Sequence, residues 1–331
     1  MIKARKKIVI FILLVLLLLL FLPVIYLISE KLSTTERTDA NILLVEGWLP
    51  PYALEMAFDE FKNNRYDRII TTGLMSTPDY FNVYTNGSLT FYTSRILLIY
   101  TIKANHTIEI KAYSSLTGEN RSHFNVLIND SIADNFYADR RKKEYIVTWS
   151  GKLSDIDSVS IEFINDRVDD FGDRNLFVKE IIFDHKIHLP YQRNSVYTYS
   201  ESDRTIKIKN NYSSYAQLAK NRLLALGVDS SLIIDIPCKN VSLNRTLTSA
   251  LAFRDWLKTS EIKVKGINIV SVGTHSKRTW MTYNKILDKK YNIGIISLPD
   301  SREQDSRRYK VLKTIRETIG IIYYWFILIP Y

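Results

Sequence analysis

The chain contains a single cysteine, Cys238, among its 331 residues. One thiol cannot form an intrachain disulfide, so a disulfide-bonded scaffold and a cysteine-ligated zinc site are both excluded. Glycine and proline are also scarce, with 11 and 8 residues, which excludes collagen-like and low-complexity classes. The sequence has no P-loop, no Gly-x-Gly-x-x-Gly fingerprint and no nucleophile elbow. The usual motifs for phosphate loops and hydrolase triads are therefore missing.

Acidic residues are outnumbered by basic ones, 35 to 45, which gives a formal net charge of +10. Taken as one number, this charge favours a nucleic-acid or anionic-membrane partner. The excess lies in residues 198–331, where 22 basic residues face 11 acidic ones. The apolar fraction of 46% is enough to bury one large or two ordinary domains.

The N-terminal segment from Ile8 to Ile28 carries no charged residue. A helix of that length rises far enough to span a bilayer, whereas the apolar part of a cleaved signal peptide is shorter. Basic residues precede the run, so the positive-inside rule predicts a cytoplasmic N-terminus. We therefore predict a single-pass protein of the cytoplasmic membrane with its bulk extracytoplasmic. The basic half then meets anionic lipid headgroups or a phosphorylated ligand, and no nucleic acid.

A second apolar run, from Ile319 to Pro330, is about 12 residues long, which is too short to span. It is predicted to be a helix packed on a sheet, with contact to a membrane surface as the alternative.

The remaining chain shows two kinds of periodicity. Strands alternate with helices in residues 40–78 and again in 198–331, which predicts a parallel sheet flanked by helices. Residues 79–197 instead alternate with a period of two between Gly, Asn and Asp turns, which predicts a β-sandwich. The predicted fold class is α/β: a Rossmann-like domain with an inserted jelly-roll-like sandwich, and residues 1–32 forming a basic tail and a transmembrane helix.

One loop of the predicted sandwich is unusually acidic. Residues 161–178 crowd four aspartates and two asparagines between two strands. Their mutual repulsion is relieved by a hard cation with six to eight oxygen ligands, and calcium suits this chemistry better than zinc. A solvated acidic turn whose aspartates cap backbone groups is the alternative. The residue chemistry alone favours neither.

The segments Phe163–Asp166 and Gly172–Val178, with Ile108–Tyr113 upstream, closely resemble the calcium-dependent xylan-binding modules. The similarity spans about Leu89 to Ile187. It implies a calcium that itself coordinates sugar hydroxyls, with Asp166 and Asp173 as leading ligands. It implies weaker roles for Asp169, Asp170 and Asn175, and a glycan or polysaccharide as partner.

In an open parallel sheet, ligands bind outside the carboxyl ends of the strands. Those ends place Glu46 and His275 where strands meet helices, and we predict both as catalytic. His275, Arg278 and a helix N-terminus together suit a phosphate or carboxylate. Helix capping, a strand-end ion pair and a solvated helix face are the structural alternatives for Thr246, Glu46 and Arg278. The predicted ligand-binding residues are Gly47, Thr72, Gly73, Asn244, Thr246, Thr274 and Arg278.

An ordered set of motifs resembles the SanA/YdcF/ElyC-like envelope proteins. The set comprises Ile42–Trp48, Ile69–Gly73, the Ala216–Gly227 helix, Ser242-x-Asn244-x-Thr246 with Ala250, and Val272–Arg278. The resemblance implies a Rossmann-like fold and a role in cell-envelope biogenesis. Glu46-Gly47-Trp48 departs from the Gly-rich turn of many members, and Thr72-Gly73 from their Gly pair.

Three hypotheses follow. In the first, the α/β domain binds or processes a phosphorylated envelope precursor, such as a lipid- or nucleotide-linked sugar, while the sandwich binds glycan through calcium. In the second, the protein tethers glycan without catalysis on an inert scaffold. The third, a small-molecule-binding protein with a nucleotide-like cofactor, is less consistent with an extracytoplasmic location.

Overall fold

We analysed a computed structural model of the chain. It describes residues 23–76, 78–93, 105–169, 172–201, 204–301, 303 and 307–331, with no account of the side chains of residues 168, 169 and 201. The chain divides into two compact units. The first combines residues up to Ser76 with Ser214–Tyr331, and the second is Thr77–Ser213.

The first unit is built on a five-stranded parallel sheet in the order β16-β2-β1-β17-β18. Its strands are β1 (Ile42–Glu46), β2 (Arg68–Leu74), β16 (Ile233–Cys238), β17 (Gly266–Val272) and β18 (Asn292–Leu298). Its helices are α1 (Pro51–Asn63), α3 (Tyr215–Leu226), α4 (Arg245–Thr259), α5 (Ser276–Ile286) and α6 (Arg307–Ile327), with a 3₁₀ turn at Gly273–His275. Residues 23–32 are also helical.

Both faces of this sheet are buried, because successive side chains of a strand point to opposite faces. Ile42 and Leu44 of β1 pack with residues of α4, α5 and α6. Leu43 and Val45 pack on the other side with residues of α1 and α3. Local signals fix the helix ends: the Ser214 side chain caps α3 by accepting from the Gln217 amide, and Gly227 ends it with a φ of 110°.

The second unit contains antiparallel sheets. One has the order β13-β12-β5-β8 with β3 beside β12, and another has the order β15-β14-β4-β9-β6-β7, while β10 and β11 form a small ribbon. The ring of Phe124 on β6 lies 5.3 Å from that of Tyr145 on β8, so the two larger sheets contact each other through their inner side chains. The strands are β3 (Phe81–Val83), β4 (Gly87–Tyr92), β5 (Asn105–Ser114), β6 (His123–Ile128), β7 (Ser131–Tyr137), β8 (Lys143–Ser150), β9 (Ser158–Phe163), β10 (Val168–Asp169), β11 (Gly172–Asp173), β12 (Leu176–Phe183), β13 (Ile187–Pro190), β14 (Ser195–Glu201) and β15 (Arg204–Lys209), with a helical turn α2 (Tyr191–Asn194) and 3₁₀ turns at Gly118–Asn120 and Leu153–Asp155.

The predicted fold class is wrong for the chain as a whole. Only one of the sheets is parallel, and most of the described strands belong to antiparallel sheets. The α/β prediction classified the whole chain by its flanking strand–helix units and not by the period-two segment between them. It also assigned residues 198–209 to the α/β part, whereas β14 and β15 pair with each other and β14 pairs with β4 of the second unit.

The predicted transmembrane helix is also corrected. Among the described residues, no helix combines the length and the apolar character that a membrane span requires. This finding overturns the predicted single-pass location in the cytoplasmic membrane. Residues 8–22 of the predicted span lie outside the described residues.

Candidate functional site

The carboxyl ends of β1 and β17 lie side by side where the strand order of the parallel sheet reverses. From β1 the sheet continues through β2 to β16 on one side and through β17 to β18 on the other. Such a reversal leaves a crevice in which open parallel sheets bind ligands. A cavity of about 650 Å³ opens at this point, which is within the size range of small-molecule sites. Six predicted site residues line it: Glu46, Gly73, Asn244, Thr246, His275 and Arg278.

Glu46 is a buried carboxylate held by two hydroxyl groups. Its Oε2 accepts a hydrogen bond of 2.5 Å from Ser271 Oγ on β17, and Thr279 Oγ1 on α5 lies 3.3 Å from both carboxylate oxygens. Burial opposes the charged form, but the charge of His275 and these hydrogen bonds outweigh it and lower the pKa of Glu46. The side chain is therefore an anion at neutral pH.

His275 lies between two carboxylates at the end of the 3₁₀ turn. Its Nε2 is 3.7 Å from Glu46 Oε1, and its Nδ1 is 3.2 Å from Glu317 Oε2. The edge-on ring of Trp48 is 5.1 Å away between centroids. Burial lowers the pKa of His275, but the charge of Glu46 and the hydrogen bonds to both glutamates outweigh it, so the net pKa is raised. The two carboxylates thus favour the imidazolium form.

Glu317 and Arg278 complete the cluster from two helices. Arg278 Nε on α5 lies 3.0 Å from Glu317 Oε2 on α6, and the guanidinium lies over the ring of Tyr324 at 5.0 Å. Although burial alone raises the pKa of Glu317, the hydrogen bond from His275 and the charges of His275, Arg278 and Arg316 lower it to about 2. Glu317 is consequently ionised throughout the physiological range.

The surroundings of His275 Nδ1 accommodate either protonation state. Arg278 Nη2 lies 2.8 Å from Nδ1, and a guanidinium can only donate. An unprotonated Nδ1 accepts from Arg278, which leaves the proton on Nε2, the nitrogen nearer Glu46. A protonated Nδ1 donates to Glu317 instead, which requires the Arg278 N–H to turn away from the ring. The ring therefore has a partner in both states, which suits a group that takes up and releases a proton.

A second buried cluster anchors the turn that carries His275. Glu303 Oε1 accepts hydrogen bonds from Thr274 N and Thr274 Oγ1, at 3.3 and 3.1 Å. Lys313 Nζ lies 2.9 Å from the same oxygen and also contacts Asp300. The Thr274 hydroxyl, predicted to bind ligand, is therefore engaged with the protein.

The structure separates the other predicted residues into two groups. Gly73, Asn244 and Thr246 line the cavity, whereas Gly47 and Thr72 are not among its lining residues. The Thr72 hydroxyl lies 3.2 Å from the buried Tyr283 hydroxyl, and the Gly47 amide donates to the Thr72 carbonyl. These two residues fix the junction of β1 and β2 behind the cavity.

Sequence reasoning missed Glu317, Ser271, Thr279 and Trp48. A signal existed for Glu317: it lies four residues after Lys313, and both are buried on the inner face of α6. Charged residues are rarely buried unless they are paired. Two of them at helical spacing on the face that carries Tyr324 and Leu328 indicate a buried ion-pair partner elsewhere.

Replacing Gly47 with alanine is expected to lower the free energy of unfolding by about 2 to 3 kcal/mol. A Cβ there would lie 2.6 Å from the Tyr215 carbonyl oxygen and 2.8 Å from that of Thr72, and both are backbone atoms with little freedom to move. Urea unfolding followed by tryptophan fluorescence measures the loss.

The matched control is Gly320→Ala on α6, where a Cβ would meet nothing closer than 3.5 Å. There the change is expected to be neutral or stabilising by up to about 1 kcal/mol. Equal stability of the Gly47→Ala and Gly320→Ala variants would contradict the close approach of these loops.

The acidic loop of the second unit brings together part of the predicted calcium ligands. Burial and the nearby charge of Asp173 raise the pKa of Asp166. Asp166 Oδ1 and Asn175 Oδ1 are buried and have no hydrogen-bond partner within the described ranges. Asp170 and the side chain of Asp169 lie outside those ranges. Among the described residues, no three His, Cys, Asp or Glu side chains are grouped so as to hold a metal ion.

No protein-family model matches the chain, and no curated protein matches it. Among solved structures, the chain is similar to the calcium-dependent carbohydrate-binding module vCBM60, with 14% identity over 33% of this chain and 81% of that one and a TM-score of 0.23. The module CBM36, solved with calcium and xylotriose, has 20% identity over 31% of this chain and 77% of its own, with a TM-score of 0.19.

A family two carbohydrate esterase from Clostridium thermocellum, solved in complex with cellohexaose, has 11% identity over 74% of this chain and 82% of its own. Its TM-score is 0.23. The similarity to calcium-dependent carbohydrate-binding modules is thus weak and partial and covers about a third of the chain. No family match supports the resemblance to SanA/YdcF/ElyC-like proteins.

Proposed function

We propose that the first unit binds a phosphorylated ligand in the crevice between β1 and β17 and exchanges a proton with it through His275. The observation that carries this proposal is the placement of His275 between Glu46 and Glu317 with Arg278 against its ring, inside the cavity at the strand-order reversal. The resemblance to envelope proteins supports a phosphorylated cell-envelope precursor as the ligand.

The charges that line the cavity support an anionic ligand. Arg245, Arg278 and Arg316 line it together with His275, against the two carboxylates of Glu46 and Glu317. Lys313 also lines it, but Asp300 and Glu303 balance its charge. Arg245 begins α4, where the Asn244 side chain makes no capping hydrogen bond and the helix dipole adds a partial positive charge. The side chain of Arg316 is largely exposed; its Nη2 lies 3.3 Å from Glu317 Oε1, and its other N–H groups can donate to a phosphate.

Three hydroxyl and thiol groups near the crevice do not favour nucleophilic attack. Ser271 Oγ donates to Glu46, and Ser276 Oγ donates to Ser297. Cys238 Sγ lies 3.4 Å from Ser249 Oγ, and burial raises the pKa of the Cys238 thiol, which lowers its nucleophilicity at neutral pH. We therefore propose binding and general acid–base chemistry through His275 rather than attack by one of these three groups.

Replacing Arg278 with glutamine, or His275 with glutamine, is expected to weaken phosphate binding at least tenfold. Each change removes a cation, and a charge-assisted hydrogen bond to phosphate is worth about 1.5 to 3 kcal/mol. Isothermal titration calorimetry with inorganic phosphate and a sugar 1-phosphate measures the affinity, and circular dichroism checks the fold.

The matched control is Arg254→Gln, which removes an arginine from the exposed side of α4, where Arg254 pairs with Asp255. This variant is expected to bind phosphate as the unaltered chain does. If Arg254→Gln weakens binding as much as Arg278→Gln, the binding reflects the overall positive charge rather than the crevice.

We also propose that the second unit binds glycan through calcium, because the acidic loop holds oxygens suited to a hard cation. Asp166, Asp173 and Asn175 are the ligands proposed from the described residues, with Asp169 and Asp170 as further candidates. The unpaired buried oxygens of Asp166 and Asn175 support this, as does the charge repulsion between Asp166 and Asp173. A bound calcium would neutralise the carboxylates and offer open coordination positions to sugar hydroxyls.

A non-enzymatic glycan-tethering protein remains the competing proposal. It predicts that calcium and glycan bind while His275→Gln has no effect on any ligand.

A further inference from the structure

The second half of α6 exposes a continuous apolar stripe. From Thr318 to Tyr331 the chain carries no charged residue. Seven large apolar side chains in this stretch are between 46% and 66% exposed: Ile319, Ile322, Tyr323, Trp325, Phe326, Ile329 and Tyr331. Residues 319, 322, 323 and 326 are spaced by three or four positions, so they share one face of the helix.

This stripe is not the face by which α6 packs in the first unit. That role belongs to Glu317, Tyr324 and Leu328, which are buried against the core and the His275 cluster. A helix that is apolar on both faces is usually buried on both faces. Contiguous exposed apolar surface on a folded unit generally marks a binding site.

The stripe begins at the mouth of the crevice. Arg316 and Tyr323 both line the cavity, and Ile319 lies between them on the same helix. The charged residues of α6 therefore lie in its first part, where Lys313 and Arg316 line the cavity. After Glu317 the helix carries no charged residue. From Ile319 to Phe326 the stripe runs about 10 Å along the helix axis, and Tyr323 within it lines the cavity.

We infer that the ligand of the crevice is an amphiphile: a phosphate monoester or diester of a long hydrocarbon alcohol, with its anionic group beside His275 and Arg278 and its chain along Ile319, Ile322 and Phe326. This inference rests on the proposed phosphate-binding function. It selects a lipid-linked ligand over a nucleotide-linked one, because isoleucine and phenylalanine side chains offer no hydrogen bonds to a base or a ribose. Continuity with the cavity favours a ligand chain over an unrelated protein as the occupant.

The test is a chain-length series on the purified full-length protein. Inorganic phosphate, ethyl phosphate, butyl phosphate and octyl phosphate are titrated by calorimetry below their micelle-forming concentrations. Complete burial of a methylene is worth about fourfold in affinity, and a chain lying on an open helix face buries about half of its surface. We therefore expect about a twofold gain per methylene, or roughly 60-fold from ethyl to octyl phosphate.

The double variant Ile319→Ser with Ile322→Ser is expected to reduce that gain to less than about fivefold. The matched control is Ile132→Ser on β7 of the second unit, where the side chain is 64% exposed. This variant should show the same gain in affinity from ethyl to octyl phosphate as the unaltered chain. If the phosphate esters bind with the same affinity at every chain length, the inference is overturned and the proposed phosphate-binding function is retained. No phosphate binding at all contradicts the proposed function itself.

Two other occupants would give distinct results. If a second copy of the chain covers the stripe, sedimentation shows a dimer that the double serine variant dissociates. If the apolar residues 8–22 of the same chain cover it, octyl phosphate gains nothing over ethyl phosphate in the full-length protein. Either result overturns the inference.

Discussion

Replacing Glu317 with glutamine is expected to lower the free energy of unfolding by about 3 kcal/mol at pH 5.5. The substitution keeps the shape of the side chain but removes the charge that His275 and Arg278 share. Two cations then remain close together at a buried site, and His275 Nδ1 lies 2.8 Å from Arg278 Nη2. Removing one partner of a buried ion pair is costly because the other charge stays desolvated. Urea unfolding measures the loss through tryptophan fluorescence, since Trp48, Trp256, Trp280 and Trp325 belong to the first unit.

The loss should depend on pH with a definite sign. The pKa of Glu317 is lowered from 4.5 to about 2 in the fold, so its contribution is complete above pH 4.5 and disappears as the pH falls towards 2. The pKa of His275 is raised above 6.5, so its contribution is complete below pH 6.5 and is lost as the pH rises through the higher, folded value. Both contributions coexist between about pH 4.5 and 6.5, and the difference between the two chains should be largest there.

The matched control for this prediction is Glu60→Gln. The Glu60 side chain is largely buried and accepts hydrogen bonds from Arg37 and Tyr66. Arg37 is half exposed, so the cation left by Glu60→Gln returns to water and the loss should be smaller than at Glu317. A Glu317→Gln variant that loses no more than the Glu60→Gln variant at pH 5.5 would show that the His275 cluster adds no net stability. The pKa of His275, followed by proton NMR, should also fall in Glu317→Gln, because a hydrogen bond that favours the imidazolium is weakened.

How much of this site the sequence could predict depends on whether a residue directly follows a strand of the parallel sheet. Glu46 and His275 each follow a buried strand, and the carboxyl ends of parallel strands meet at one edge, so their proximity can be expected from the pattern alone. Glu317 lies 42 residues after His275 on another helix. Its role depends on how α6 packs against α5, which no local pattern specifies. Thr72 and Thr274 show a further limit, because strand-end position does not determine where a hydroxyl group points.

The fold class shows a related limit. The period-two pattern predicts the strands of the second unit, but the pairing of β14 with β4 joins residues about 110 positions apart. A hairpin at residues 195–209 followed by a helix at Tyr215 fits either unit when only local periodicity is considered. The pairing of β14 with β4 is what joins this hairpin to the second unit.

Adding calcium is expected to stabilise the second unit by about 2.7 kcal/mol when its concentration is 100 times the dissociation constant, and Asp173→Asn should abolish that gain. Burial and the charge of Asp173 raise the pKa of Asp166, so without a cation the two carboxylates repel each other and weaken the fold at neutral pH. A cation converts this repulsion into attraction. The Asp173→Asn substitution should therefore raise the free energy of unfolding slightly in EDTA and lower it in calcium.

Thermal unfolding measured by scanning calorimetry in EDTA and in calcium gives the direction of the change in each buffer. Asp134→Asn on the exposed strand β7 is the matched control and should respond to calcium as the unaltered chain does. Titration with xylotriose in calcium and in EDTA then separates metal binding from sugar binding. The calcium site is contradicted if Asp173→Asn has the same sign in both buffers, since a repulsive pair without a shared cation would show only the stabilising effect.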